Sequence, residues 1–258
     1  MFGIELETVL FLLAAGFLAA FIDSSVGGGG LISLPALLLT GMPPGMALGT
    51  NKLGSSISSL TSTISFLLSG KVDVKLVRWL FPLSALAAAF GSFLVVHMPS
   101  QFLRPLVTVM LIAVAIYTLF KKNWGERSTY RGLTRFTALG AAVFAVSIGF
   151  YDGFFGPGTG SFLIFAFLLL GFDFVAAAGN AKVLNFASNA GSLIAFMALG
   201  QVHLAYGLII GAAMIAGALA GSRLAIRRGV SYVKPLFIVV TSLLIGKQVW
   251  DLVNGLFP

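Results

Sequence analysis

Polar residues in this chain collect in short islands between long apolar runs. The apolar elements fall at 6–22, 31–40, 45–69, 79–97, 102–120, 136–151, 160–170, 176–199, 204–226 and 235–254. Runs of about 20 apolar residues, without strand-like alternation, predict membrane-crossing helices rather than a barrel. Two elements, 31–40 and 160–170, are too short to cross alone. At about 1.5 Å per residue they cover roughly half of a hydrocarbon core ~30 Å thick. Each follows a glycine-rich island that carries an acid, "FIDSSVGGGG" at 21–30 and "FYDGFFGPGTG" at 150–160. A short apolar element behind a glycine break is the pattern of a discontinuous helix or a re-entrant hairpin. The predicted fold is an all-α polytopic membrane protein.

Composition agrees. The 258 residues are 58 % hydrophobic and 9 % charged, with mean hydropathy +1.02; soluble domains carry roughly 25 % charged residues. There are no cysteines, which excludes disulfides and thiolate metal sites. The start, "MFGIELET", is acidic rather than basic, so the first apolar run is expected to be kept and not cleaved. The net charge of +8 points to topology rather than to nucleic acid, because the basic residues lie in short loops between spans. Segment 70–78 holds Lys71, Lys75 and Arg78. Segment 121–135 holds Lys121, Lys122, Arg127, Arg131 and Arg135, and 223–234 holds Arg223, Arg227, Arg228 and Lys234. These loops are expected on the cytoplasmic side. Loops 97–104 and 200–206, nearly free of Lys and Arg, are expected outside, and both termini with them. Trp79, Trp124 and Trp250 fall near span ends, where interfacial aromatics belong.

The chain also repeats itself. Moved forward by 130, residues 31–114 lie on 161–244 without a gap: Lys52 meets Lys182, Ser58 meets Ser188, Ser62 meets Ser192, and Pro105 meets Pro235. Upstream, at an offset of 129, Asp23 meets Asp152, Gly27 meets Gly156 and Gly29 meets Gly158. Equivalent loops carry opposite charge bias: basic 70–78 corresponds to uncharged 200–208, and sparse 97–104 to basic 227–234. The expectation is two inverted repeats of about five helical elements each, including the short one. The units are 1–121, a basic cytoplasmic linker at 122–135, and 136–258. Inverted repeats are common in secondary transporters, with the site where broken helices meet.

Four constellations can carry chemistry. The glycine breaks, Gly27 to Gly30 and Gly156, Gly158 and Gly160, free backbone N–H groups at the start of a half-helix, an end that suits an anion. The competing reading is close helix packing. Lys52 and Lys182 lie near the start of long apolar elements. A lysine at depth costs about 2.5–3.5 kcal/mol and needs a partner or a purpose; the alternative is a lysine snorkelling to the surface. A polar stripe follows each one. Lys52, Ser55, Ser59 and Ser62 are spaced i, i+3, i+7, i+10, and Lys182, Asn185, Asn189 and Ser192 repeat that spacing on one helix face. The stripes either line a polar path or bond helix to helix. Asp23 and Asp152 carry a proton, or form a fixed ion pair with a lysine, or cap the broken helix. His97 and His203 sit at span ends with no third ligand, so no metal or other cofactor is expected.

These residues resemble the TauE/SafE family of sulfite exporters, also called the toluene-sulfonate uptake permease family. The resemblance rests on "DSSVGGGGLISLPALLLTG" with "GTNKLGSS" in the first half. In the second it rests on "GFYDGFFGPGTGSF", "AKVLNFASN" and "GSLIAF", which are similar to its YfcA-type branch. It covers nearly the whole chain. It implies an inner-membrane carrier of sulfur-containing anions such as sulfite, sulfoacetate or other sulfonates. By motif position it implies site residues Asp23, Gly27 to Gly30, Asn51 and Lys52, with Asp152, Gly156, Gly158, Gly160, Lys182 and Asn185. The halves differ: Pro35 is matched by Phe165, and Pro157 interrupts the second glycine run, so an asymmetric site is expected.

The leading expectation is a secondary transporter of small anions in the bacterial inner membrane, working by alternating access with proton coupling through Asp23 and Asp152. Its substrate-binding residues are Gly27, Gly28, Gly29, Gly30, Asn51, Lys52, Ser55, Gly156, Gly158, Gly160, Lys182, Asn185 and Asn189. The expected partners are a small anion, the lipid bilayer and, as a candidate assembly, a second copy in a homodimer. The alternatives are an anion channel and an intramembrane enzyme using the two aspartates. An enzyme is disfavoured because nothing places the aspartates beside a nucleophile or metal.

Overall fold

The computed structural model describes residues 5–99, 128–130, 132 and 134–229. The expected elements 102–120 and 235–254, most of the basic linker, Trp124 and Trp250 lie outside the described residues. Among the described residues the protein is all helical. The helices are α1 (Leu6–Val26), α2 (Gly30–Leu39), α3 (Pro44–Leu68), α4 (Val74–Val96), α5 (Arg135–Phe154), α6 (Thr159–Leu169), α7 (Phe174–Ala198) and α8 (Leu204–Arg228).

Local chemistry sets the helix starts. The Asp73 carboxylate accepts the Leu76 N–H ahead of α4, and the Asp173 carboxylate accepts the Val175 and Ala176 N–H groups ahead of α7. Thr134 and Thr137 form a reciprocal capping box at α5. Each cap contributes about 1 kcal/mol. α4 begins earlier than the apolar pattern alone predicts. Lys75 and Arg78 stay on its exposed face while Leu76, Val77 and Leu80 are buried, and the Arg78 guanidinium lies 5.3 Å over the Trp79 ring.

Among the described residues, four helices are long and apolar enough to cross a membrane: α1, α4, the Thr137–Phe154 part of α5, and α8. Large apolar side chains such as Leu10, Leu86, Phe90, Leu139 and Leu208 stand exposed on them, as a lipid-facing surface requires. α3 and α7, 25 residues each, are not among the four. They carry the polar stripes and are buried along most of their length, α3 packed on α7 and α8, α7 also on α4. α2 and α6 are the short pair, near the predicted 31–40 and 160–170.

Contacts across the structure come in reciprocal pairs. The His203 N–H donates to Thr50 Oγ1 (2.9 Å), and the Asp73 N–H donates to Asn180 Oδ1 (2.8 Å). Gly49 packs on the Gln201 carbonyl and Gly179 on that of Lys71. Shifting each member by 130 turns one contact into the other. Because Gly49 lies near the start of α3 and Lys71 just past its end, loops 200–203 and 70–73 sit at opposite ends of that helix. Two apolar cores follow the same exchange. One gathers Leu34, Met42, Ile210 and Phe196, the other Ile164, Phe172, Leu80 and Phe66.

Candidate functional site

Neither aspartate ends its helix. α1 continues past Asp23 to Val26 and α5 past Asp152 to Phe154. The breaks come just after, at 27–29 and 155–158. Gly27 and Gly28 take φ of 80° and 98°, and Gly156 and Gly158 take 98° and 87°, a region closed to most side chains. The two breaks pack on each other. A β-carbon on Gly160 would lie 2.8 Å from Gly27 Cα, and one on Gly30 would lie 3.0 Å from Pro157 Cα. At Gly27 and Gly160, close packing is therefore what the missing side chain permits.

The first turns of α2 and α6 meet at a cavity of about 20 Å³, room for about one water molecule. Of the predicted residues, Asp23, Gly29, Gly30, Asn51, Lys52, Ser55, Asp152, Gly156, Gly158, Gly160, Asn185 and Asn189 line it. Gly27, Gly28 and Lys182 do not. Helix N-termini leave backbone N–H groups without intrahelical partners and carry about half a positive charge each. Two of them and one ammonium group thus face a single small space.

The lysines do not snorkel. Lys52 is 2 % exposed and Lys182 0 %, and each is held by an aspartate of the other half. Lys52 Nζ lies 2.7 Å from Asp152 Oδ1 and donates to Asn189 Oδ1 at 3.2 Å. The Ser188 hydroxyl donates to Asp152 Oδ2. Lys182 Nζ lies 2.7 Å from Asp23 Oδ2 and also donates to the Asp23 carbonyl. The remaining oxygen of that carboxylate, Oδ1, accepts the Gly29 N–H at 3.2 Å. Of the readings open for the aspartates, the ion pair with a lysine is the one formed, Asp152 with Lys52 and Asp23 with Lys182.

The stripes divide along their length. Asn185 and Asn189 face the cavity, and the Asn189 amide donates to the Asn185 carbonyl at 2.8 Å. Farther along α3, Ser59 bonds back to the Ser55 carbonyl and the Ser62 hydroxyl pairs with Ser24 (2.6 Å); neither lines the cavity. Ser33, Ser58, Thr159, Ala19, Ala20 and Met214 line it without having been predicted as site residues. Ser58 was findable, since Asn51, Ser55 and Ser58 at i, i+4 and i+7 share a face. Among the described residues Asn51 Oδ1 and Ser58 Oγ are buried without a hydrogen-bond partner, which leaves polar capacity for a bound solute. Among the described residues no group of His, Cys, Asp and Glu could hold a metal ion.

The pattern of the sulfite exporter TauE/SafE family matches residues 12–247. The chain belongs to that family. A probable membrane transporter protein of Haemophilus influenzae is 37% identical over 250 residues, covering 96% of each chain. The probable membrane transporter protein ORF9 of a Sinorhizobium species is 39% identical, over 93% of this chain and 92% of its own. The probable membrane transporter protein YfcA of Escherichia coli is 36% identical, over 94% and 89%. This kinship agrees with the YfcA-type branch. No solved structure gives a significant match. Together with the apolar outer surface, membership of this transporter family makes the chain an integral membrane protein.

Proposed function

We propose that the protein is a secondary transporter of small anions, with sulfur-containing oxyanions such as sulfite, sulfonates and sulfoacetate as substrates, in the bacterial inner membrane. The observation that carries this reading is the convergence of two half-helix N-termini and the buried Lys52 ammonium on one cavity. That arrangement suits an oxyanion. The cavity is smaller than any such anion, so its walls have to part for binding. A small site that has to widen fits alternating access better than an open channel. The reciprocal contacts between the halves, and the opposite ends taken by loops 70–73 and 200–203, support an inverted repeat whose halves exchange roles as the site opens to one side and then the other. Lys71 marks the cytoplasmic end and Gln201 the outer end. The enzyme alternative loses ground because each aspartate is occupied by a lysine.

Proton coupling is assigned to Asp152. In this structure its carboxylate holds Lys52. A proton on Asp152 frees the ammonium for the anion, and an anion on Lys52 raises the proton affinity of Asp152, a reciprocal linkage. Flux of sulfite and of methanesulfonate into proteoliposomes, with and without a pH gradient, tests this. The gradient should drive accumulation, and Asp152→Asn should abolish that drive. Downhill flux indifferent to the gradient would leave a channel. No flux of either anion would end the sulfur-oxyanion reading. For topology, single cysteines placed at Lys71 and Gln201 should label from opposite sides; labelling from one side overturns the inverted repeat.

A further inference from the structure

We propose that the Lys182–Asp23 pair is a positioning device for the N-terminus of α2, and that it neither binds the anion nor carries the proton. This rests on the anion-site reading above and divides the labour of two pairs that the repeat makes look equivalent.

The geometry separates them. Both members of the Lys52–Asp152 pair line the cavity, whereas of the other pair only Asp23 does. Lys182 stands behind Asp23, fully buried, and its ammonium spends its bonds on the carbonyl and the carboxylate of that one residue. An anion in the cavity meets the Asp23 carboxylate, 18 % exposed, before it meets Lys182. The carboxylate in turn holds Gly29, the residue before α2, through its N–H. Lys182 fixes Asp23, Asp23 fixes Gly29, and Gly29 aims the first turn of α2 at the cavity. Among the described residues, the other charged groups on the cavity with Asp23 are Lys52 on α3 and its partner Asp152 on α5. With Lys182 neutralising Asp23, the pair presents no net charge to the anion.

The test uses the full chain in nanodiscs with methanesulfonate, whose charge does not titrate near neutrality, so that any pH profile belongs to the protein. Asp23→Asn with Lys182→Met removes both charges but keeps an acceptor for Gly29. It should keep the wild-type pH profile and the wild-type hydrogen exchange at 29–33, and bind more tightly than the variant that lacks the acceptor. Asp23→Ala with Lys182→Met removes the acceptor. It should bind about tenfold more weakly, the equivalent of one hydrogen bond, again with an unchanged pH profile, and backbone hydrogen exchange at 29–33 should accelerate. Rescue by Asn and the fixed pH profile separate positioning from a merely structural role. Loss of binding or of pH dependence in the Asn variant would make the pair a ligand or a proton carrier and overturn the proposal. Unchanged exchange at 29–33 in the Ala variant would overturn it too. If the wild type binds no methanesulfonate, substrate assignment to sulfonates falls, and the exchange readout alone still decides the positioning role.

Discussion

The two helix breaks solve one problem with different residues. At the first, the chain leaves α1 at Val26 and enters α2 at Gly30, and a charged group, the Asp23 carboxylate, accepts the Gly29 N–H, beside the Ser33 hydroxyl on the Gly29 carbonyl and the Ser161 hydroxyl on that of Val26. At the second, between Phe154 and Thr159, neutral groups do this work. The Tyr151 hydroxyl donates to the Pro157 carbonyl at 2.7 Å and the Thr159 hydroxyl to that of Gly156 at 2.6 Å. Aligned at the offset of 129, Tyr151 stands where the first half has Ile22, and Thr159 where it has Gly30. With its break held by hydroxyls, Asp152 is free to turn to Ser188 and to Lys52 in the cavity wall. The lesson is that a duplicated plan reaches an asymmetric site through a few residues beside the duplicated ones.

The largest effects should come from the ion pairs. Lys52→Met strands the Asp152 carboxylate and Lys182→Met strands Asp23; each should cost about 3–5 kcal/mol, as expected when one member of a buried pair is removed. Neutralising both members should recover most of that stability in either pair. The pairs then part company in function: Lys52→Met with Asp152→Asn should melt near the wild type and bind no anion. Thermal melting in detergent beside methanesulfonate titration reads both. If that double variant still binds the anion, the cavity pair is structural and the contrast between the breaks collapses.

A smaller effect should follow from making the second break resemble the first. Tyr151→Phe with Thr159→Gly deletes two hydroxyl bonds worth about 1 kcal/mol each. Melting should fall accordingly, while the Ile22→Val change at the equivalent first-half position should move it little. With its ties gone, the second break should also show faster hydrogen exchange at 155–160. An unchanged melt and unchanged exchange would mean that the hydroxyls do not hold the turn.

Much of the architecture was legible because it rests on local pattern. The two short elements, the long apolar ones among the described residues and the islands between them follow from helix length and hydropathy. What local pattern leaves open is how the islands meet. Spacing placed Lys52 and Lys182 on equivalent faces, yet pairing each with the aspartate of the other half requires the halves to interlock, which no single helix face encodes. The polar stripes were visible as faces, but which end of each lines a cavity depends on where the opposing helix lies. Ser59 and Ser62 turn to their own backbone and to Ser24, whereas Asn185 and Asn189 meet α3 across the cavity. The charged start of α4 looked like a loop because Lys75 and Arg78 mask a buried face at Leu76 and Val77.

The smallest contrast lies at the far ends of the half-helices. Gly41 follows α2 with φ +81° and no described atom within 4 Å of where a β-carbon would go. Its counterpart Gly171 follows α6 with φ +93°, and a β-carbon there would lie 2.9 Å from both Thr129 Oγ1 and the Tyr130 nitrogen. Among the described residues, 128–130 cover this end and nothing covers the other. The Thr129 N–H donates to the Gly171 carbonyl at 2.7 Å, the Tyr130 ring stacks on Phe172 with centroids 3.9 Å apart, and the Tyr130 hydroxyl reaches Asp73 Oδ2 at 3.4 Å. Burial, and after it the Asp73 carboxylate, push the Tyr130 phenol above its usual pKa, so it stays protonated and able to donate at neutral pH. Alanine at either glycine pays the left-handed backbone penalty of about 1 kcal/mol. Alanine at 171 also displaces the strap, and should lower stability by roughly 1 kcal/mol more, the scale of one hydrogen bond. The comparison is read by melting Gly41→Ala and Gly171→Ala side by side, then repeating Gly171→Ala with Tyr130→Ala. If the strap is the source, the excess should vanish in that background, because contacting residues do not add. Equal shifts for the two glycine variants would instead mean that residues 128–130 rest on α6 without holding it, and that the two ends differ in appearance only.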